Sequence, residues 1–167
     1  MKRALKRLDS FREDLLQTIE PLDPLLFSQR PSDNEWSVAE IVQHLGLVEA
    51  RVTKELEAAV AREPRRVGLL RQLIPTYIVS VRLLRVKAPK AMNPVAVVEK
   101  DEAIKNIEQV RRALKAFCDT HDANRLRNVT FKHPFLGNIS GLATISFLGY
   151  HEQRHLKQIR EALKKLR

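Results

Sequence analysis

Apolar residues recur at helical spacing over four long, separate stretches, and this constrains the chain more than any other feature. Leu5, Leu8, Phe11, Leu15, Leu16 and Ile19 mark the first, over residues 2–19, because steps of three and four place side chains on one helix face. Pro21 and Pro24 follow, and a proline cannot continue a helix without losing a backbone hydrogen bond. A polar loop at 28–35 leads to the sharpest helix start. Ser37 and Glu40 have the spacing of a capping box, and Trp36 and Ile41 occupy the positions of a hydrophobic staple. Val38, Ile41, Val42, Leu45, Val48, Val52 and Leu56 carry that second stripe toward Arg62, ahead of Pro64. The third runs through Ile104, Ile107, Val110, Leu114 and Phe117, with Asp101 as the expected N-cap. The fourth begins at Ser140 and continues through Leu142, Ile145, Leu148, Leu156, Ile159 and Leu163.

Between the second and third stripes, residues 67–86 are apolar on nearly every face, broken by Arg71, Pro75 and Arg82. This reads as one kinked helix or two short ones, joined to the next stripe by a connector at 87–94 in which Pro89 and Pro94 favour extended backbone. Residues 124–138 are expected to form a loop or a short extended piece. The expected fold is therefore all-α: four long, antiparallel-type helices around one core in a single domain over 1–167, with 67–86 as a shorter accessory element. Only five glycines and much Leu, Ala, Glu, Lys and Arg agree with this class. Residues 67–86 offer more apolar surface than one bundle face covers, which predicts a homodimer.

The lone Cys118 excludes an intrachain disulfide and a cysteine zinc cluster. Asp9, Glu13 and Asp14 interrupt any signal-peptide core, and no uncharged apolar run approaches the ~20 residues of a membrane span, so the expected compartment is the cytoplasm. The formal net charge is +10, and residues 62–90 carry eight basic side chains against the single acid Glu63. A solvated surface is the ordinary reading of such a segment; attraction of an anionic small molecule, nucleic acid or acidic partner is the other. No RNA-binding signature, basic zipper or zinc finger accompanies it.

The chemistry gathers on the fourth stripe, in His151-Glu152-Gln153-Arg154-His155. Histidines at i and i+4 lie one turn apart on one face, the spacing at which two imidazoles share a metal ion. The letters also match the zinc-peptidase pattern, in which the Glu is the general base. A peptidase needs a further ligand downstream, yet no His and only one acid, Glu161, follows His155. At about 100° per residue, Glu152 falls within the apolar stripe, and a carboxylate there needs a cation or hydrogen-bond donors. On the second stripe His44 lies at the flank and Glu49 near the centre. Two helices thus each aim a histidine and a glutamate inward, which is how metal sites in bundle cores are built.

Residues 36–45, Trp-Ser-Val-Ala-Glu-Ile-Val-Gln-His-Leu, resemble the opening of the second helix of DinB-like proteins. The Lys87-Ala88-Pro89 connector, the His133-Pro134-Phe135-Leu136-Gly137 approach and the His151/His155 pair resemble later parts of that family, in its order. The resemblance implies a four-helix bundle whose metal ligands are His44, His151 and His155. It also implies a divalent ion such as nickel or zinc, often in a homodimer. Some relatives are thiol-dependent S-transferases or isomerases using bacillithiol, mycothiol or glutathione. Such a site leaves coordination positions open for water or a small-molecule substrate. Glu152 would act beside it as a supporting carboxylate or proton acceptor, the expected catalytic residue; a salt bridge to Arg or Lys on a neighbouring helix is its alternative role. The functional expectation is a metal-dependent enzyme, a thiol S-transferase or a hydrolase, with no specific nucleic-acid partner. The alternative is a non-catalytic, metal-stabilised interaction protein using residues 62–90.

Among the remaining candidates, Glu49 is expected to be structural and His121 to be solvated or to serve a helix C-terminus. His133 is expected in a turn before Pro134, though it could line the pocket mouth. Cys118 is expected on the apolar stripe, buried and inert.

Overall fold

The first apolar stripe folds as α1, Lys2–Ile19, in a computed structural model that describes residues 1–62, 92–94, 98–133 and 136–166. The chain turns at Pro21, and Asp23-Pro24 starts a short helix, α2, Pro24–Ser28. Asp23 accepts from the Leu25 N–H, and Pro24 stands in the first turn, where its missing N–H leaves no partner wanting. The capping box forms in both directions at the head of α3, Val38–Val60: Ser37 N–H donates to Glu40 at 2.8 Å and Glu40 N–H to Ser37 Oγ at 3.2 Å. Arg30 adds a bidentate pair to Glu40. Together these fix where α3 begins.

The third stripe is α4, Lys100–Thr120. Its N-cap is Glu99, not Asp101, and no side chain caps it. Asp101 and Glu102 lie instead in the first turn, where the helix dipole favours acids. Residues 124–138 hold more structure than a loop. A short helix α5, Ala123–Arg127, is capped by Asp122. An antiparallel hairpin follows, β1 Thr130–His133 with β2 Gly137–Ser140, with Phe131 opposite Ile139. Gly137 has φ 68°, which suits a residue without Cβ. The last helix is α6, Gly141–Leu166, whose first turn Ser140 caps through the Ala143 N–H. A Cβ on Gly141 would sit 2.8 Å from Val129, so only glycine lets α6 start against the hairpin. The expectations for residues 67–86, for the connector before Met92, and for all of the basic run except Arg62 fall outside the described residues, and so does the dimer surface placed there.

α1 packs along α6 and α3 along α4 and α6. Arg12 bonds Glu152 and Arg7 lies over the Tyr150 ring, so α1 and α6 run in the same direction. Gly46 lies against Ile107 and Glu49 against Arg111, so α3 and α4 also run together, opposite to the first pair. The antiparallel expectation thus holds across α3/α6 and α1/α4 but fails within the other two pairs. Val60 and Lys100 are too far apart in sequence for a short turn to force α3 and α4 antiparallel, and α1 and α6 are not consecutive at all.

The core divides into two apolar clusters. Leu8, Val52, Leu56, Leu114, Phe117 and Leu148 belong to one, which extends over the hairpin through Phe131 and Ile139. Leu15, Ile19, Leu45, Ile107, Leu156 and Ile159 belong to the other. Each long helix crosses from one cluster to the other through a single charged residue: Arg12, Glu49, Arg111 and Glu152. These four side chains form a buried ionic layer across the middle of the bundle.

Candidate metal centre

The capped start of α3 and the i, i+4 pair on α6 bring His44, His151 and His155 to one place beside the ionic layer. Their potential ligand atoms all lie within 4.8 Å of one another, and His44 and His155 are buried. Ring centroids are 5.3 Å apart for His44–His151, 4.9 Å for His44–His155 and 4.5 Å for His151–His155. Nitrogens bound to a single ion at ~2.1 Å can be at most ~4.2 Å apart, so closure requires ring movements on the order of an ångström. Three imidazoles suit zinc, nickel and related divalent ions. The donor set fits such an ion.

Hydrogen bonds on the far side of two rings orient them. His44 Nδ1 donates to the Met92 carbonyl at 2.7 Å, and His155 Nδ1 to Gln158 Oε1 at 3.0 Å. An acceptor at Nδ1 leaves the lone pair on Nε2. Aromatic rings hold the edges: Trp36 packs 5.1 Å from His44, and Phe147 5.4 Å from His151. Trp36 thus packs against the candidate site as well as against the apolar cluster. Burial pushes the His44 pKa down, outweighing its bond to Met92. Desolvation and then the neighbouring His155 and His44 hold His151 well below its usual value. Neutral imidazoles are the form that binds metal.

The ionic layer takes both glutamates. Glu152 accepts from Arg12 Nε and, at 2.7 Å, from Arg111 Nη2. Glu49 accepts from Arg12 Nη2 at 2.8 Å and from Arg111 Nε at 2.6 Å. The remaining guanidinium nitrogens reach backbone carbonyls, Arg12 to Ile107 and Arg111 to Leu8. Burial opposes the charge on Arg111, but Glu152 and Glu49 outweigh it and raise its pKa. Glu152 thus sits between two guanidinium groups, in the salt-bridge arrangement open to it from the sequence, and Glu49 is structural as expected.

The sequence singled out neither Arg12 nor Arg111. The signal was present: Arg12 stands between Leu8 and Leu15, and Arg111 between Ile107 and Leu114, both at apolar-stripe positions. Two opposite charges were needed there once Glu49 and Glu152 faced inward.

His121 closes α4 as expected, donating from Nδ1 to the Phe117 carbonyl and stacking on that ring. Cys118 is fully buried and its thiol pKa is pushed up to about 11, first by desolvation. His133 departs from expectation: it ends β1, is buried, and packs edge-on against Phe147, behind His151. Its Nδ1 accepts the Leu136 N–H at 3.0 Å.

Desolvation lowers the His133 pKa to about 4, against 6.5 for an ordinary histidine. The unfolded chain therefore takes up the proton first as the pH falls. Folding stability should decline from about pH 6.5 toward pH 4, by about 3 kcal/mol from this group. Urea-unfolding midpoints across that window should fall less steeply for His133→Asn than for the wild type.

Comparison with known proteins decides the family. The model of the DinB superfamily matches residues 7–159. The chain belongs to the DinB superfamily. It is 26% identical over 162 residues to the uncharacterised protein YuaE of Bacillus subtilis (strain 168), covering 93% of this chain and 96% of that one. The crystal structure of TT2238, described as a four-helix bundle protein, matches with a TM-score of 0.65 at 22% identity, over 96% of this chain and 98% of that chain. YfiT from Bacillus subtilis, described as a probable metal-dependent hydrolase with an unusual four-helix bundle topology, matches with a TM-score of 0.67 at 13% identity, over 99% and 86%. These likenesses bear out the four-helix bundle expected of the superfamily. Among the described residues no helix is long and apolar enough to cross a membrane.

Proposed function

We propose that this chain is a divalent-metal-dependent enzyme acting on a small molecule, with His44, His151 and His155 as the ligands and zinc or nickel as the ion. The observation that carries the reading is the convergence of three imidazoles, two of them hydrogen-bonded at Nδ1 to carbonyl oxygens, which leaves the lone pair on Nε2. Three nitrogens leave coordination positions open, as catalytic sites do, whereas structural zinc sites are closed by four protein ligands. A bound ion would supply Lewis acidity, lowering the pKa of water or of a low-molecular-weight thiol so that either becomes a nucleophile. Hydrolysis and thiol S-transfer share that chemistry, and the description of YfiT as a probable metal-dependent hydrolase supports the class.

The chain's own groups supply orientation and exclusion of water. Met92 and Gln158 hold two rings, and Trp36 and Phe147 wall the site. We assign Glu152 a positioning role in place of proton acceptance, because both its oxygens accept from guanidinium groups. That ionic layer also argues against a metal serving only to staple the bundle, since the four helices are already tied together beneath the site.

The test is turnover. Metal-free and zinc- or nickel-loaded protein should be assayed against ester, amide and thiol-acceptor electrophile panels. Any activity found should vanish with chelator and return with metal. Equal turnover by the metal-free protein would refute the reading.

A further inference from the structure

We propose that Gln158 is a positioning residue of the metal centre, its amide oxygen holding His155 in the tautomer with the lone pair on Nε2; this rests on the metal reading above. The two residues lie three apart on α6, close enough in a helix for the side chains to meet, and His155 Nδ1 is 3.0 Å from Gln158 Oε1. An amide oxygen only accepts, so the proton of a neutral His155 belongs on Nδ1 and the lone pair on Nε2. The same device appears at His44, where the Met92 carbonyl accepts from Nδ1 at 2.7 Å. There the acceptor is backbone; at His155 it is a side chain that substitution can remove.

Gln158 also fixes ring rotation. The His155 ring lies edge-on to both other imidazoles, at interplanar angles of 63° to His44 and 66° to His151. Without a partner at Nδ1 the ring could turn about its χ2 axis and carry its proton on either nitrogen. Gln158 is half-buried at the bundle surface and belongs to neither apolar cluster, so its removal should leave packing intact.

The experiment compares Gln158→Leu and Gln158→Glu with the wild type in three measurements. These are zinc affinity by competition with a chromophoric chelator, nitrogen-15 shifts of His155 in metal-free protein, and the unfolding midpoint of metal-free protein. Gln158→Leu should lower zinc affinity about 10–100-fold, the range for lost outer partners of metal-bound histidines. It should also reduce the Nδ1–H population of His155 and leave the midpoint unchanged. Gln158→Glu should restore both affinity and tautomer, because a carboxylate accepts the same bond. Wild-type zinc affinity in Gln158→Leu, or failure of Gln158→Glu to recover it, would overturn the proposal. So would an Nε2–H tautomer at His155 in metal-free wild type, a result readable even if the protein bound no zinc and the metal reading itself had failed.

Discussion

Glu152→Gln is expected to lower folding stability by roughly 3–5 kcal/mol, the range for breaking a buried ion pair from one side. The substitution nearly preserves shape but removes the charge that both guanidinium groups face. Arg12 and Arg111 would remain buried, sharing only Glu49. Arg111→Met should have a similar effect, leaving two carboxylates with one guanidinium. Replacing all four residues together with Leu or Met should be far milder, between neutral and ~1–4 kcal/mol stabilising, because charges removed in full need no partners. Guanidinium-chloride unfolding of the metal-free proteins measures all three. A single substitution as mild as the fourfold one would mean that the layer is open to water and that its charges act independently.

The second large effect concerns the ion. His44→Ala and His155→Ala should each weaken zinc binding on the order of a thousandfold, taking about a third of the ~10–16 kcal/mol that zinc sites supply. Helix content should be unchanged without metal, since the apolar clusters lie above and below the ionic layer and neither includes these rings. His121→Ala is the control: that ring caps α4 against Phe117 and should not affect zinc. Competition titrations with a zinc chelator, alongside far-ultraviolet circular dichroism, separate affinity from fold.

Much of the molecule was legible because helical periodicity and capping are local. The bounds of α1 coincide with its stripe, and Ser37 with Glu40 forms the box that its spacing promised. The nearness of His151 to His155 was legible from i, i+4 spacing alone, whereas His44 joined them through its place at the flank of its stripe and the DinB resemblance. Direction was not legible: periodicity says which face is buried but not which way a helix runs, so the parallel pairs α1/α6 and α3/α4 came only from contacts. The hairpin escaped because its strands are four residues each, too short for alternation to stand out, and turn at Gly137. Arg12 and Arg111 escaped for a different reason: an arginine on a stripe resembles a stripe's edge until the facing carboxylates are known. The inward Glu49 and Glu152 were noted, and their demand for partners pointed to two cations that the sequence placed one turn from Leu8 and Ile107.

His44, His151 and His155 are proposed to share one ion. Crystals of the zinc-loaded protein, with diffraction recorded on both sides of the zinc absorption edge, test it most directly. One strong anomalous peak is expected within ~2.0–2.1 Å of a nitrogen from each of the three rings, and its loss in His155→Ala. A zinc peak elsewhere on the chain, with the three imidazoles unliganded, would overturn the shared site.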